Sequence, residues 1–294
     1  MPVELLSVLS CRDASGYGLA SQVNFIVGPN NLQGEDSFLL LIHGYNDRQV
    51  FAAWAYSLFL AQMDASLSTL QTIKVVELHW PADKPNVVES AADFAGSITN
   101  GLGTAALLAS FLNDLASKLA PAGKQLQVDI VAHSLGNRIT LETIKRLNPG
   151  VRVNSFVLMA AAVNVKDVDT GAGLHASAVM PNRTTVFHST SDMVLAIAAP
   201  AGETLAGEGF FPQAVGRHGK PFHVVWQYES SFDGFGHSDY WPGQKSAATA
   251  AAAIGLTVQN SLVAACIADY KLPAPNSIAT ASIPTRQIPA QAVD

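Results

Sequence analysis

The pattern of apolar and polar positions alternates between strand-like and helix-like segments along most of the chain. Apolar or alternating runs predict strands at 3–9, 22–27, 38–42, 72–78, 127–131, 153–159, 184–188 and 222–228. Helical spacing of the apolar positions predicts helices at 50–66, 87–119, 137–147 and 241–270, the second broken at 100–103. Strands that alternate with helices are typical of a mostly parallel central sheet flanked by helices on both faces, so we expect an α/β fold.

The composition fits one large domain rather than a disordered chain. Of the 294 residues, 49% are hydrophobic and 14% are charged, which indicates a well-filled core. We expect a single domain over 1–271. The segment 272–294 is rich in Pro, Ala, Ser and Thr, so we expect a loosely ordered tail. Cys11 and Cys266 are far apart and are expected to pack as small buried groups.

The charge pattern limits the partners and the location. The net charge is −6 and the basic residues are scattered, so no electrostatic footprint for nucleic acid is present. The N-terminal segment lacks the basic start of a secretory signal, and we expect a cytoplasmic protein. The apolar stretch 247–268 contains polar residues near its middle. It therefore favours a buried or half-buried helix over a membrane span, and we expect no stable membrane insertion.

The strongest chemical signal is a serine placed between a strand and a helix. Residues 132–136 are Ala-His-Ser-Leu-Gly and follow the predicted strand 127–131. In this context a small-x-Ser-x-small pentapeptide forms a nucleophile elbow, in which a strained turn exposes the hydroxyl above the carboxyl end of the sheet. Ala132 replaces the usual first glycine but is still small. The sequence therefore predicts Ser134 as a nucleophile.

A serine nucleophile needs a base and an acid that orients the base, and in this type of fold they follow it in the order acid, then histidine. Asp192 ends the β-rich run 184–192 and is the favoured acid; Asp167 and Asp169 are its rivals. His237 follows the last predicted strand, beside glycines that allow the backbone to turn the imidazole toward Ser134, and is the favoured base. A loop histidine bonded to Asp239 is the alternative for His237. The weaker candidates for the base are His175, His218 and His223. The remaining positions have structural interpretations: His188 lies inside a predicted strand, His133 lies inside the elbow and faces the sheet, and His79 follows a strand as a core or crevice residue.

The oxyanion of an acyl-transfer intermediate needs two backbone N–H donors. Leu135 follows the nucleophile at the start of a helix, where the helix dipole also favours a negative charge. The second donor is expected from Tyr45, because His43-Gly44 follows the early apolar strand and permits a sharp turn there. A strand-ending turn without a catalytic role is the alternative for this pair.

A loose G-x-G-x-x-A pattern at 101–106 is not expected to bind a dinucleotide. No strand precedes it, and no acidic residue follows at the required distance. We expect a kink or a flexible break in the helix at this point.

These motifs together resemble the α/β-hydrolase superfamily, and more narrowly bacterial esterase- or lipase-like serine hydrolases of an uncharacterised-domain type. The matching segments are 41–46, 78–81, 131–138, 191–192 and 236–240. The resemblance implies an α/β-hydrolase fold with Ser134 as nucleophile, Asp192 as acid and His237 as base. Two segments, 82–103 and 193–220, are candidates for a lid, and surface loops are the alternative for both.

The predicted activity is hydrolysis of a carboxylic ester through a Ser-His-Asp triad and an acyl-enzyme. A small-molecule acyl ester is the expected substrate, and no metal or organic cofactor is needed because the chain supplies the nucleophile, the base and the oxyanion donors. An amidase, a thioesterase or an acyltransferase would use the same residues. A binding module that has kept the scaffold is the alternative from another class.

Overall fold

The computed structural model describes residues 3–27, 32, 34–45, 48–66, 73–83, 91–207, 209–226, 228–232 and 234–240. The strands are β1 (Val3–Arg12), β2 (Leu19–Val27), β3 (Ser37–Ile42), β4 (Ile73–His79), β5 (Leu126–His133), β6 (Val151–Met159), β7 (Arg183–His188) and β8 (Tyr228–Ser231). The helices are α1 (Gln49–Ser66), α2 (Ala91–Leu119), α3 (Gly136–Ile144), α4 (Val165–Val168), α5 (His175–Val179), α6 (Ala199–Leu205) and α7 (Val215–His218). A π-helical turn, Val194–Ala198, precedes α6.

The described strands form one twisted sheet in the order β2, β1, β4, β3, β5, β6, β7, β8. β1 and β2 are antiparallel, and the other neighbouring pairs are parallel. The apolar residues 38–42 of β3 are fully buried, as expected for a strand covered on both faces. The predicted α/β fold with a mostly parallel sheet is confirmed.

The last described strand lies later in the chain than the sequence predicts. The predicted strand 222–228 is wrong, because pairing with β7 begins at Tyr228. The residues before it form a turn in which the Val224 N–H donates to the Pro221 carbonyl. Phe222 and Val225 are 91% and 80% exposed there. Their apolar character is thus not the signature of a buried strand.

Helix α2 is continuous, so the predicted break at 100–103 is also wrong. A Cβ on Gly101 would lie 3.2 Å from Ile139 of α3, and one on Gly103 would lie 2.3 Å from Leu19 of β2. The two glycines therefore allow the helix to approach its neighbours closely rather than interrupting it. By length and hydropathy alone the stretch Asp93–Ala122 could cross a membrane, but α2 packs against α3 and α6 within this fold.

Some predicted features lie partly or wholly outside the described residues. The closing helix 241–270, Cys266 and the tail 272–294 are among these. Of the lid candidate 82–103, residues 91–103 form the start of α2, while 193–220 contains the π-helical turn, α6 and α7. Cys11 is buried as predicted, and burial raises the pKa of its thiol to about 12.

The topology brings distant segments to one edge of the sheet. Because β3, β5 and β7 run parallel, the loops that follow them leave from the same side. These loops begin at His43, Ser134 and Ser189. The carboxyl edge of the sheet is where ligands bind in α/β folds of this kind.

Candidate active site

Ser134 occupies a tight turn between β5 and α3. Its φ angle is +53°, a left-handed conformation that costs a non-glycine residue about 1–3 kcal/mol. Three backbone hydrogen bonds hold the turn: the Ser134 N–H donates to the Met159 carbonyl at 3.0 Å, and the N–H groups of Asn137 and Ala162 donate to the Ser134 carbonyl, both at 3.1 Å. The Asn137 side-chain amide donates to both carbonyls. The local structure is therefore the strained strand-to-helix turn that the sequence predicts.

Gly136 shows why the second flanking position must be small. A Cβ at this position would lie 2.6 Å from the His43 carbonyl oxygen and 2.8 Å from that of Ile42. Both neighbours are backbone atoms, so they cannot rotate away as a flexible side chain would. The other flanking residue, Ala132, is fully buried in β5.

His237 contacts both Ser134 and Asp192. Its Nε2 atom lies 2.8 Å from Ser134 Oγ, and its Nδ1 atom lies 2.8 Å from Asp192 Oδ2. Since a carboxylate can only accept, Nδ1 carries the proton and Nε2 accepts from the serine hydroxyl. The alternative of a bond to Asp239 is not what the structure shows, because both ring nitrogens of His237 bond to the triad. The Asp239 carboxylate accepts from the Gly236 N–H at 2.7 Å instead.

Asp192 is fully buried at the end of the loop after β7. Its second oxygen, Oδ1, accepts the Leu195 N–H at 2.9 Å, and its carbonyl accepts from the Arg217 guanidinium at 3.0 Å. Both carboxylate oxygens therefore have a partner, which fixes the orientation of the group facing His237. The rival Asp167 lies 3.3 Å from Arg138, and Asp169 bonds to the Thr170 N–H.

The loop after β3 passes directly against the serine. A Cβ on Gly44 would lie 2.7 Å from Ser134 Cβ. The next residue, Tyr45, packs its ring edge-on against Phe94 of α2, with 5.3 Å between the ring centroids. Leu135 lies at the first turn of α3, where backbone N–H groups have no intrahelical partner. Leu135 and Tyr45 are thus the neighbours in sequence of Ser134 and of Gly44, which lies against it, and their role as oxyanion donors stays a prediction.

His43 and Trp80 hold this loop in place, a feature that sequence reasoning did not identify. The Trp80 indole N–H donates to the His43 carbonyl at 2.9 Å, and the Trp80 backbone N–H donates to His43 Nε2 at 3.2 Å. The two rings stack at an interplanar angle of 17°. Burial holds the pKa of His43 well below its usual value, so the ring stays neutral and can accept at Nε2 while Nδ1 donates to the Gly44 carbonyl.

Replacement of Gly44 by alanine tests the contact between this loop and the serine. The added methyl group would overlap Ser134 Cβ, so either the loop or the nucleophile must shift. We expect a fall in kcat on the order of 10²-fold, because shifts of about 1 Å in a catalytic geometry have effects of this size. Steady-state kinetics with a thermal melt of each protein checks this. Unchanged kcat in the folded variant would contradict the contact.

Three of the other histidines contact groups outside the triad. His79 is buried 3.5 Å from Glu77, His188 lies 3.7 Å from Glu229, and His175 contacts the Val168 carbonyl. The sequence places His133 inside the elbow, and in the structure its ring lies 5.0 Å from that of His237. Across the described ranges, no three His, Cys, Asp or Glu side chains are grouped so that they could hold a metal ion.

A mostly parallel sheet with a strained strand–serine–helix turn at its carboxyl edge defines an α/β hydrolase. The chain belongs to the family described as "Alpha/beta hydrolase of unknown function (DUF900)", whose model matches residues 30–205. This range includes Ser134 and Asp192 and ends before His237. The predicted resemblance is confirmed. No curated protein sequence matches the chain.

Several solved structures are similar to the chain. An open-form lipase is 13% identical, with 80% of this chain and 91% of its own covered and a TM-score of 0.39. An acetyl xylan esterase is 15% identical, with coverages of 78% and 96% and a TM-score of 0.39. A Trichoderma reesei cutinase in complex with a phosphonate inhibitor is 14% identical, with coverages of 81% and 77% and a TM-score of 0.35.

Proposed function

We propose that the protein is a serine hydrolase that cleaves carboxylic esters through an acyl-enzyme. The observation that carries this proposal is the unbroken chain of hydrogen bonds from Asp192 through His237 to the Ser134 hydroxyl. This arrangement lets the imidazole take the serine proton while the carboxylate stabilises the resulting imidazolium.

In the proposed reaction, Ser134 Oγ attacks the ester carbonyl as His237 Nε2 removes its proton. The backbone N–H groups of Tyr45 and Leu135 stabilise the oxyanion of the tetrahedral intermediate. His237 then protonates the departing alcohol, which leaves the acyl group on Ser134. Water activated by His237 attacks this acyl-enzyme, and a second collapse releases the carboxylic acid and returns the proton to Ser134.

Exposed apolar side chains in the segment that follows the acid support a substrate with an apolar acyl group. Met193, which follows Asp192 directly, and Ile197 are 60% and 55% exposed, and Phe210 and Phe211 are 88% and 50% exposed. Phe211 also has a φ angle of +43°, and its N–H is held by the Thr204 hydroxyl at 2.9 Å. Backbone strain of this kind in a non-glycine residue points to a functional constraint. We propose that the segment 193–213 lines the acyl side of the site.

Hydrolysis of p-nitrophenyl esters from acetate to palmitate tests the proposed reaction. We expect turnover that a serine-directed fluorophosphonate abolishes, with the added mass on the peptide that contains Ser134. Labelling without ester turnover would indicate an amide, a thioester or acyl transfer to an alcohol. The absence of both would remove the serine mechanism and leave a binding role for the scaffold.

The double substitution Phe210→Ser and Phe211→Ser tests the proposed acyl side. We expect KM for long-chain esters to rise about 10-fold, since each buried methylene contributes about 0.8 kcal/mol to binding, while acetate hydrolysis stays unchanged. Phe222→Ser is the matched control, because Phe222 is 91% exposed and lies outside the segment 193–213. Equal chain-length profiles in the wild type and the double variant would contradict this assignment.

A further inference from the structure

His133 is a buried histidine that the proposed reaction does not use. It ends β5 directly before Ser134 and is 2% exposed. His133 is the neighbour of the nucleophile in the sequence, but its side chain contacts residues that are far away in the sequence. These contacts connect the loop after β3 with the loop that contains His237.

The imidazole ring of His133 lies between the His237 loop and the loop after β3. Its Nε2 atom lies 2.8 Å from the backbone carbonyl oxygen of His237, which is 104 positions away. On the other side of the ring, Nδ1 faces Gly44, where a Cβ would lie 3.0 Å from it. Since a carbonyl only accepts, Nε2 carries the proton and donates to it.

We propose that His133 is a positioning residue that sets the distance between His237 and Ser134 by holding the His237 main chain to the nucleophile's own strand. The inference rests on the proposed function, because it assigns His133 a role in the same reaction. His133 itself touches neither the substrate nor a transferred proton.

The other contacts of the His237 loop show why such a bond is needed. The Ser189 hydroxyl donates to the Phe235 carbonyl at 2.8 Å, and the Gly234 N–H donates to Ser191 Oγ at 3.2 Å. These contacts tie the loop to the end of β7, on the side of the acid. They do not fix the distance between His237 and Ser134, because Ser134 follows β5. The His133 bond connects the His237 loop to β5.

The electrostatic state of His133 suits this role. Burial and the neighbouring His237 both hold the pKa of His133 well below its usual value, so it remains a neutral donor. The ring of His237 lies 5.0 Å away and becomes positively charged when it removes the serine proton. A second charge at His133 would oppose that step, whereas a neutral N–H donor does not.

A matched pair of variants, His133→Gln and His133→Met, separates positioning from packing. The two new side chains have similar length and flexibility, but only glutamine can donate to the His237 carbonyl. We expect His133→Met to lower kcat on the order of 10²-fold with little change in KM, since misplacement of a catalytic group by about 1 Å costs this much. We expect His133→Gln to stay within about 10-fold of the wild type, because a neutral donor restores the bond.

A role in packing alone predicts the opposite order, because a buried apolar Met is tolerated better than a buried amide. Equal kcat values, or a higher value for His133→Met, would overturn the inference. Thermal melts of both variants establish that each is folded, and the rate of fluorophosphonate labelling gives a second measure of Ser134 activation. Wild-type protein that neither hydrolyses esters nor labels would instead defeat the proposed function, and the inference with it.

Discussion

Replacement of Ser134 by alanine is expected to lower ester turnover by 10⁴-fold or more. The change removes the atom that forms the acyl-enzyme, and losses on the order of 10⁴- to 10⁶-fold follow when a serine nucleophile is removed. The folded state should be little affected, since the hydroxyl bonds to the His237 side chain and not to the backbone that holds the turn. Steady-state kinetics with the most active p-nitrophenyl ester measures the effect.

The double variant Ser134→Ala with His237→Ala gives this prediction a stricter form. Residues that act as one unit are strongly non-additive, so the double variant should be no slower than Ser134→Ala alone. If the kcat of the double variant fell by the product of the two single-variant losses, the two residues would not act in one step. Turnover that survives in Ser134→Ala would point to a different nucleophile.

The elbow and the order of the site residues could be predicted because their signals are local. A buried strand, a serine between small residues and an amphipathic helix follow each other within residues 127–147. Parallel topology then brings the loops at the carboxyl edge to the same place, so chain order together with a position after a strand favours Asp192 and His237 over their rivals. The structure brings the two side chains together although they are 45 positions apart.

The contacts that hold these residues in place could not be predicted in the same way. His133 bonds to a main-chain carbonyl 104 positions away, and Trp80 bonds to His43 across 37 positions. A carbonyl has no signature in the sequence, so the partner of a buried ring is known only once the backbone is placed. A local pattern can show that a histidine is buried, but not what satisfies its polar atoms.

The close packing of α2 against its neighbours could not be predicted either, because it also depends on residues far apart in the sequence. Gly101 and Gly103 lower helix propensity, and from the sequence they indicate a break. In the fold their missing side chains make room for Ile139 and Leu19. Tertiary packing therefore outweighs a local preference here, and the reverse error occurs at Phe222, an apolar residue that the fold leaves on a surface turn.

Asp192→Asn is expected to lower kcat on the order of 10⁴-fold, the size of effect seen where the orienting acid of a triad becomes an amide. The Leu195 N–H donates to Oδ1, so the amide oxygen of asparagine will stay at that position. Its NH₂ group will then face His237 Nδ1, which must accept. The proton moves to Nε2, and this atom can no longer take the proton of Ser134. Steady-state kinetics at neutral pH measures the loss.

Asp167→Asn is the matched control, because it makes the same chemical change at the rival acid. Asp167 is paired with Arg138 at a partly exposed site, so kcat should stay within about 2-fold, as expected for the loss of one surface ion pair. A small effect of Asp192→Asn with a large effect of Asp167→Asn would reverse the assignment of the acid. A small effect of both would mean that the hydrogen bond to Asp192 does not control the tautomer of His237, and the order of proton transfers derived from it would fail.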